Sequence, residues 1–147
     1  MEQQDILSMT LPELQAAVQK LSEPKFRAKQ IFNWLHQKRV TDFSEMTTLS
    51  LPFRERLASD FCINRLKIAK RLASSVDDTV KYLYELPDGN YVETVCMQYH
   101  HGTSLCISTQ VGCRMGCRFC ASAIAGFVRN LTPAEMLLQI YETERAQ

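Results

Sequence analysis

Apolar residues recur at helical spacing through the first part of the chain and at strand spacing after it. Leu11, Leu14, Val18 and Leu21 fall three or four residues apart, the interval of one helix face. Thr10 and Glu13 stand at capping-box spacing, so an amphipathic helix is expected that stops before Pro24. A second helix is expected from Lys25 to about Gln37, with Phe26, Ile31, Trp34 and Leu35 available for a core. A third follows Ser50 and Pro52, where Phe53, Leu57 and Phe61 recur at intervals of four. Residues 1–72 are thus expected to form a small helical domain.

Beyond Arg71 the period changes to two. Val80, Tyr82, Tyr84 and Leu86 alternate with Thr79, Lys81, Leu83 and Glu85, which is the pattern of a strand. Pro87-Asp88-Gly89-Asn90 supplies a turn and Tyr91 to Gln98 a returning strand, so residues 73–102 are expected as a β-hairpin linker. A further strand is predicted over Thr103 to Thr109. Thr132 as N-cap, Pro133 in the first turn and Glu135 three residues on predict a helix start, with Ala134, Leu137, Leu138 and Tyr141 on its apolar face. Residues 103–147 then read as strand, cysteine-rich loop and helix, a βα unit whose next parallel strand is expected beyond Gln147.

Composition narrows the function. The 147 residues carry 17 Lys+Arg and 16 Asp+Glu, which excludes a uniformly basic nucleic-acid coat and an acidic disordered tail. Charge is nevertheless uneven: residues 1–70 hold 11 basic and 8 acidic side chains, and the remainder 6 and 8. Lys25, Arg27, Lys29, Lys38 and Arg39 lie among Phe26, Phe32 and Trp34, a mixture compatible with RNA backbone contact or with a solvated helix face. No secretory signal or stretch of ~18 apolar residues is present, so the expected compartment is the cytoplasm, with no membrane partner. Thiols stay reduced there, and clustered cysteines serve metals or chemistry more than disulfides.

Five of the six cysteines, Cys96, Cys106, Cys113, Cys117 and Cys120, fall within 25 residues. Cys113-Arg114-Met115-Gly116-Cys117-Arg118-Phe119-Cys120 is a C-x3-C-x2-C run. Three thiolates at this spacing can hold three corners of an iron–sulfur cube and leave one iron open to a ligand. A zinc site needs four ligands, and Cys106, His100 or His101 could complete one, so both metals are open on spacing alone. Arg114, Arg118 and Arg129 make the neighbourhood basic and suited to phosphates, or are simply solvated.

The run, with an aromatic residue before its third cysteine, resembles the signature of radical S-adenosylmethionine (SAM) enzymes. Ser104-Leu105-Cys106-Ile107-Ser108-Thr109-Gln110-Val111-Gly112-Cys113 and Gly126-Phe127-Val128-Arg129-Asn130-Leu131-Thr132 resemble the RlmN/Cfr group of RNA adenosine methyltransferases. Arg27-Ala28-Lys29-Gln30-Ile31-Phe32-Asn33-Trp34-Leu35 and Phe43-Ser44-Glu45-Met46-Thr47 are similar to the RlmN branch. The resemblance implies an α/β fold opening a partial (βα)6 barrel, with a [4Fe-4S] cluster on Cys113, Cys117 and Cys120 whose open iron chelates SAM. It implies methylation of adenosine C2 in 23S rRNA and tRNA, an electron donor for the cluster and a monomeric enzyme; the alternatives are Cfr-like C8 methylation, the nearest enzymatic one, and a noncatalytic RNA-binding fragment with a structural zinc site. The family's late methyl-carrying cysteine and glycine-rich SAM segment have no counterpart in these residues, so the chain alone is expected to be inactive.

Three further roles follow from the resemblance. Cys106 would resolve a covalent protein–RNA adduct through a transient disulfide with the methyl-carrying cysteine, although a lone strand cysteine is otherwise a small core filler. Glu93 would be the proton acceptor, while the strand pattern alone also allows a carboxylate at a sheet edge; burial would raise its pKa. Phe119 would contact SAM or cover the cluster, or pack within its loop. Cys62 and Cys96 have no partner at useful spacing and are expected to be structural.

Overall fold

The computed structural model describes residues 3–112 and 128–147. The chain divides into two compact units, Met1–Asn64 and Arg65–Gln147.

In the first unit, α1 (Leu11–Lys20), α2 (Phe26–His36) and α3 (Leu51–Asp60) surround Leu14, Val18, Ala28, Ile31, Leu35, Phe53 and Leu57, all buried. The capping box at Thr10 is present: Glu13 accepts from the Thr10 amide at 3.0 Å, and the Glu13 amide donates to Thr10 Oγ1. Ser50 caps α3 by a single bond, its Oγ accepting from the Phe53 amide. Two expectations fail here. Phe26 is 55% exposed and Trp34 half-exposed, donating from Nε1 to Thr48, so neither belongs to the core. Phe61 is extended rather than helical, because β2 (Phe61–Cys62) pairs in parallel with β1 (Gln4–Asp5) and ties the two ends of the unit together.

The second unit is an antiparallel meander, β3 (Lys67–Ala73), β4 (Val80–Glu85), β5 (Tyr91–Tyr99) and β6 (Gly102–Cys106), with a separate two-strand ladder of β7 (Gln110–Val111) and β8 (Arg129–Asn130). Gly89, at φ +89°, closes the tight turn between β4 and β5. The hairpin is as expected, but it is the middle of a larger sheet. Residues 67–72, expected within the helical domain, belong to strand β3. The strand predicted over 103–109 ends its pairing at Cys106 and is antiparallel to β5, whereas a barrel strand would be parallel to its neighbour.

Helix α4 (Pro133–Ala146) starts at the expected Thr132 capping box. Val80, Tyr82, Tyr84, Val92, Thr94 and Cys96 form the buried face of the sheet. The helix meets that face through Tyr84 Oη and Thr143 Oγ1 at 2.7 Å and Thr94 Oγ1 and Gln139 Oε1 at 2.8 Å. Among the described residues no helix is long and apolar enough to cross a membrane.

Candidate active site

Strand alternation sends every second residue of β5 to the opposite side of the sheet. Val92, Thr94 and Cys96 are buried on the α4 side, while Glu93, Val95 and Met97 lie half-exposed on the other. Cys106 is directly opposite Val95 in the ladder and therefore shares this second face. Glu93 is its diagonal neighbour, at the ~7–8 Å separation typical of such pairs. Cys106 is exposed. The two residues singled out for catalysis thus share one face of adjacent strands.

Glu93 is neither buried nor at a sheet edge. It lies on an interior strand, its side chain 37% exposed, and forms an ion pair with Lys81 Nζ at 3.1 Å. Its backbone carbonyl accepts from Ser108 Oγ at 2.7 Å, which ties Glu93 to the chain leaving β6. Cys96 is on the opposite, helix-covered face, where burial pushes its thiol pKa up. Cys62 is half-buried in the first unit and its thiol is likewise raised, first by burial and then by Asp5. Both placements agree with structural roles.

Cys113, Cys117, Cys120 and Phe119, with Arg114 and Arg118, lie outside the described residues. The stem that bounds them is described: Gln110 pairs with Asn130 and Val111 with Arg129, and the Val128 amide donates to the Val111 carbonyl at 2.8 Å. Three closely spaced thiolates suit an iron–sulfur cluster, and the described residues offer no competing set, since none of their His, Cys, Asp and Glu side chains gather in groups of three. His101 stacks on Tyr99 at the β5–β6 turn. That turn is at the opposite end of β6 from Cys106, about 13 Å away at ~3.3 Å per residue.

Arg129 is not an open phosphate anchor. Its guanidinium makes two bonds of 2.8 Å to Glu135 and reaches Asp88 in the β4–β5 turn, also at 2.8 Å. These bonds, Glu135 first, push the guanidinium pKa above its ordinary value. Burial alone would raise the Glu135 carboxyl, but Arg129 and the Thr132 amide outweigh it and hold the pKa below its usual value. Arg129 therefore joins the hairpin turn, the end of the stem and the first turn of α4.

In the first unit Phe26 is exposed with the Arg27 guanidinium 4.9 Å from its ring centre, and Lys38 Nζ stands 4.9 Å from that of Trp34. These cation–π contacts create a mixed basic and aromatic surface on α2. His36 adds no charge to it at neutral pH, since burial lowers its pKa.

The structure is similar to that of a radical SAM methyltransferase from Sphaerobacter thermophilus, with TM-score 0.85 and 35% identity over 97% of this chain and 42% of that one. The fold is thus a mixed α/β arrangement matching the N-terminal region of a radical SAM methyltransferase. Residues 4–63 match the family of ribosomal RNA large subunit methyltransferase N-terminal domains. The chain is 54% identical over 98% of its length to a protein of Lachnoclostridium phytofermentans named as a dual-specificity RNA methyltransferase RlmN, and 53% identical over 95% to a protein of that name from Alkaliphilus oremlandii. It spans about 40% of each. The chain is thus similar over nearly its whole length to part of these RlmN proteins, and residues 4–63 fall within their N-terminal-domain family.

Gln139, Ser108, Lys81 and the Arg129 partners Asp88 and Glu135 were not expected from sequence as parts of this site. Their one local signal is the polar series Glu135, Gln139, Glu142 and Thr143, which runs along a helix at intervals of a buried face.

Proposed function

We propose that the complete protein is a cytoplasmic, monomeric radical SAM methyltransferase acting on C2 of adenosine in 23S rRNA and tRNA, with this chain supplying the RNA-positioning domain and the opening of a partial barrel. The observation that carries this reading is the shared exposed face of Glu93 and Cys106, on adjacent strands and next in sequence to the stem that bounds the cysteine triplet. Cys113, Cys117 and Cys120 would hold a [4Fe-4S] cluster, which when bound supplies one-electron cleavage of SAM, with electrons from a separate donor. Phe119 would contact SAM. Glu93 would accept a proton from the substrate adenosine or its methylene adduct, and Cys106 would release the product. The first unit, Met1–Asn64, would position RNA.

Anaerobic reconstitution of the chain, followed by iron and sulfide analysis and low-temperature EPR of the reduced sample, tests the metal assignment. Four irons and four sulfides per chain are expected. Alanine at any one of Cys113, Cys117 or Cys120 should weaken the site far more than Cys106→Ala. Stoichiometric zinc with no cluster signal would overturn it.

The α2 surface should bind RNA weakly and with strong salt dependence, because each neutralised phosphate releases counterions. Replacing Lys25, Arg27 and Lys29 together should lower the log–log salt slope by roughly 2 to 3. An unchanged slope in a salt titration would identify this face as merely solvated.

A further inference from the structure

We propose that Gln139 is a positioning residue that fixes Cys106 relative to Glu93; the importance of that pair rests on the function proposed above. The backbone ladder between β5 and β6 ends at Val95 and Cys106. Cys106 is thus the last paired residue of an outer strand, where fraying begins most readily. Beyond it, side chains replace the ladder. The Gln139 Oε1 atom accepts from the Ser108 amide at 2.8 Å and from Thr94 Oγ1 at 2.8 Å, and Nε2 donates to the Ser108 carbonyl at 2.8 Å and the Glu135 carbonyl at 3.3 Å.

Gln139 is completely buried, and its amide makes two donated and two accepted bonds, its full ordinary complement. Thr94 follows Glu93, and Ser108 is two residues beyond Cys106. Ser108 also donates from its hydroxyl to the Glu93 carbonyl at 2.7 Å, closing a ring of bonds through both strands. An apolar side chain of similar volume could fill the space under the sheet, but it would leave Ser108 without its amide and carbonyl partners. The consequence is local: the chain leaving Cys106 would detach while the paired strands β3 to β5 stayed intact.

The test needs neither SAM, cluster nor RNA. Hydrogen exchange and alkylation of Cys106 by iodoacetamide, mapped by peptide mass spectrometry, are measured on this chain and its variants. Gln139→Leu should speed exchange at the Ser108 amide about tenfold or more and Cys106 alkylation about threefold, with β3 and β4 unchanged. Thr94→Val should move both in the same direction by less, and Thr94→Ser, which keeps the hydroxyl, should restore the parent values. If Gln139→Leu does not fold, the two Thr94 variants decide.

Parent-like values in Gln139→Leu, a uniform increase across β3 to β5, or equal behaviour of the two Thr94 variants would overturn the proposal. Any of these would leave the proposed chemistry standing. Conversely, normal product release by Cys106→Ala in the complete protein would remove that chemistry without altering the exchange result.

Discussion

In the complete protein, Cys106→Ala is expected to cleave SAM but stall with the protein covalently joined to RNA, and multiple turnover should fall on the order of a thousandfold or more. The exposed thiol on the shared face would form an S–S bond to the methyl-carrying cysteine as that sulfur's bond to carbon breaks. The bonding pair stays with carbon, which takes up a proton, and a dithiol reductant later reopens the disulfide. Without Cys106 the sulfur–carbon bond has no attacking thiol, so release stops after attachment. Glu93→Gln would keep the shape, remove the proposed proton acceptor and is expected to lower turnover by about 10²- to 10⁴-fold. A denaturing gel separates the two, because the first variant accumulates a protein–RNA band. Normal release with no such band would remove Cys106 from the mechanism.

The parts of this arrangement that sequence discloses are those encoded locally. Thr10 with Glu13, and Thr132 with Pro133 and Glu135, mark helix starts because a cap and its partner lie within one turn. The alternation from Val80 to Leu86 marks a strand because one face is buried. Residues 67–73 carry neither signal. Lys67, Lys70, Arg71 and Leu72 are ordinary helix formers, and all seven positions are exposed, so pairing with β4 alone makes them a strand. Phe61 extends the interval of four from Phe53, yet its pairing with Gln4 overrides that pattern.

The site divides in the same way. Sequence places Glu93 and Val95 on one face, but only the register with β6 adds Cys106 to it, and only the packing of β4 brings Lys81 to the carboxylate. Gln139 reads as one polar residue in an amphipathic helix, because its four bonds go to three residues 4, 31 and 45 positions away. Arg129 looks free for phosphate until Asp88, 41 residues earlier, is folded against it.

Arg129→Met is expected to destabilise the second unit by about 2–4 kcal/mol at pH 7, because it leaves the nearly buried Glu135 carboxylate without its counter-ion. The upper half of that range applies only if Asp88 contributes as well, and at 42% side-chain exposure its pair with Arg129 is largely screened. The pH dependence fixes the cause. The folded Glu135 pKa lies below its ordinary value of 4.5, so the stabilisation is complete above the unfolded pKa and is lost as pH falls through the folded one. Without Arg129, burial is opposed only by the Thr132 hydrogen bonds, and the Glu135 pKa rises above its value in the parent. The gap between parent and variant should therefore be widest at neutral pH and narrow as pH falls from the variant's Glu135 pKa to the parent's lower one. Arg129→Met combined with Glu135→Gln should recover part of the loss at pH 7 by removing the stranded charge. The sole tryptophan, Trp34, is in the first unit, so hydrogen exchange of the α4 amides under urea is the appropriate readout. A gap that stays constant from pH 7 to pH 3.5 would show that Arg129 stabilises by packing its aliphatic stem and not by holding Glu135 charged.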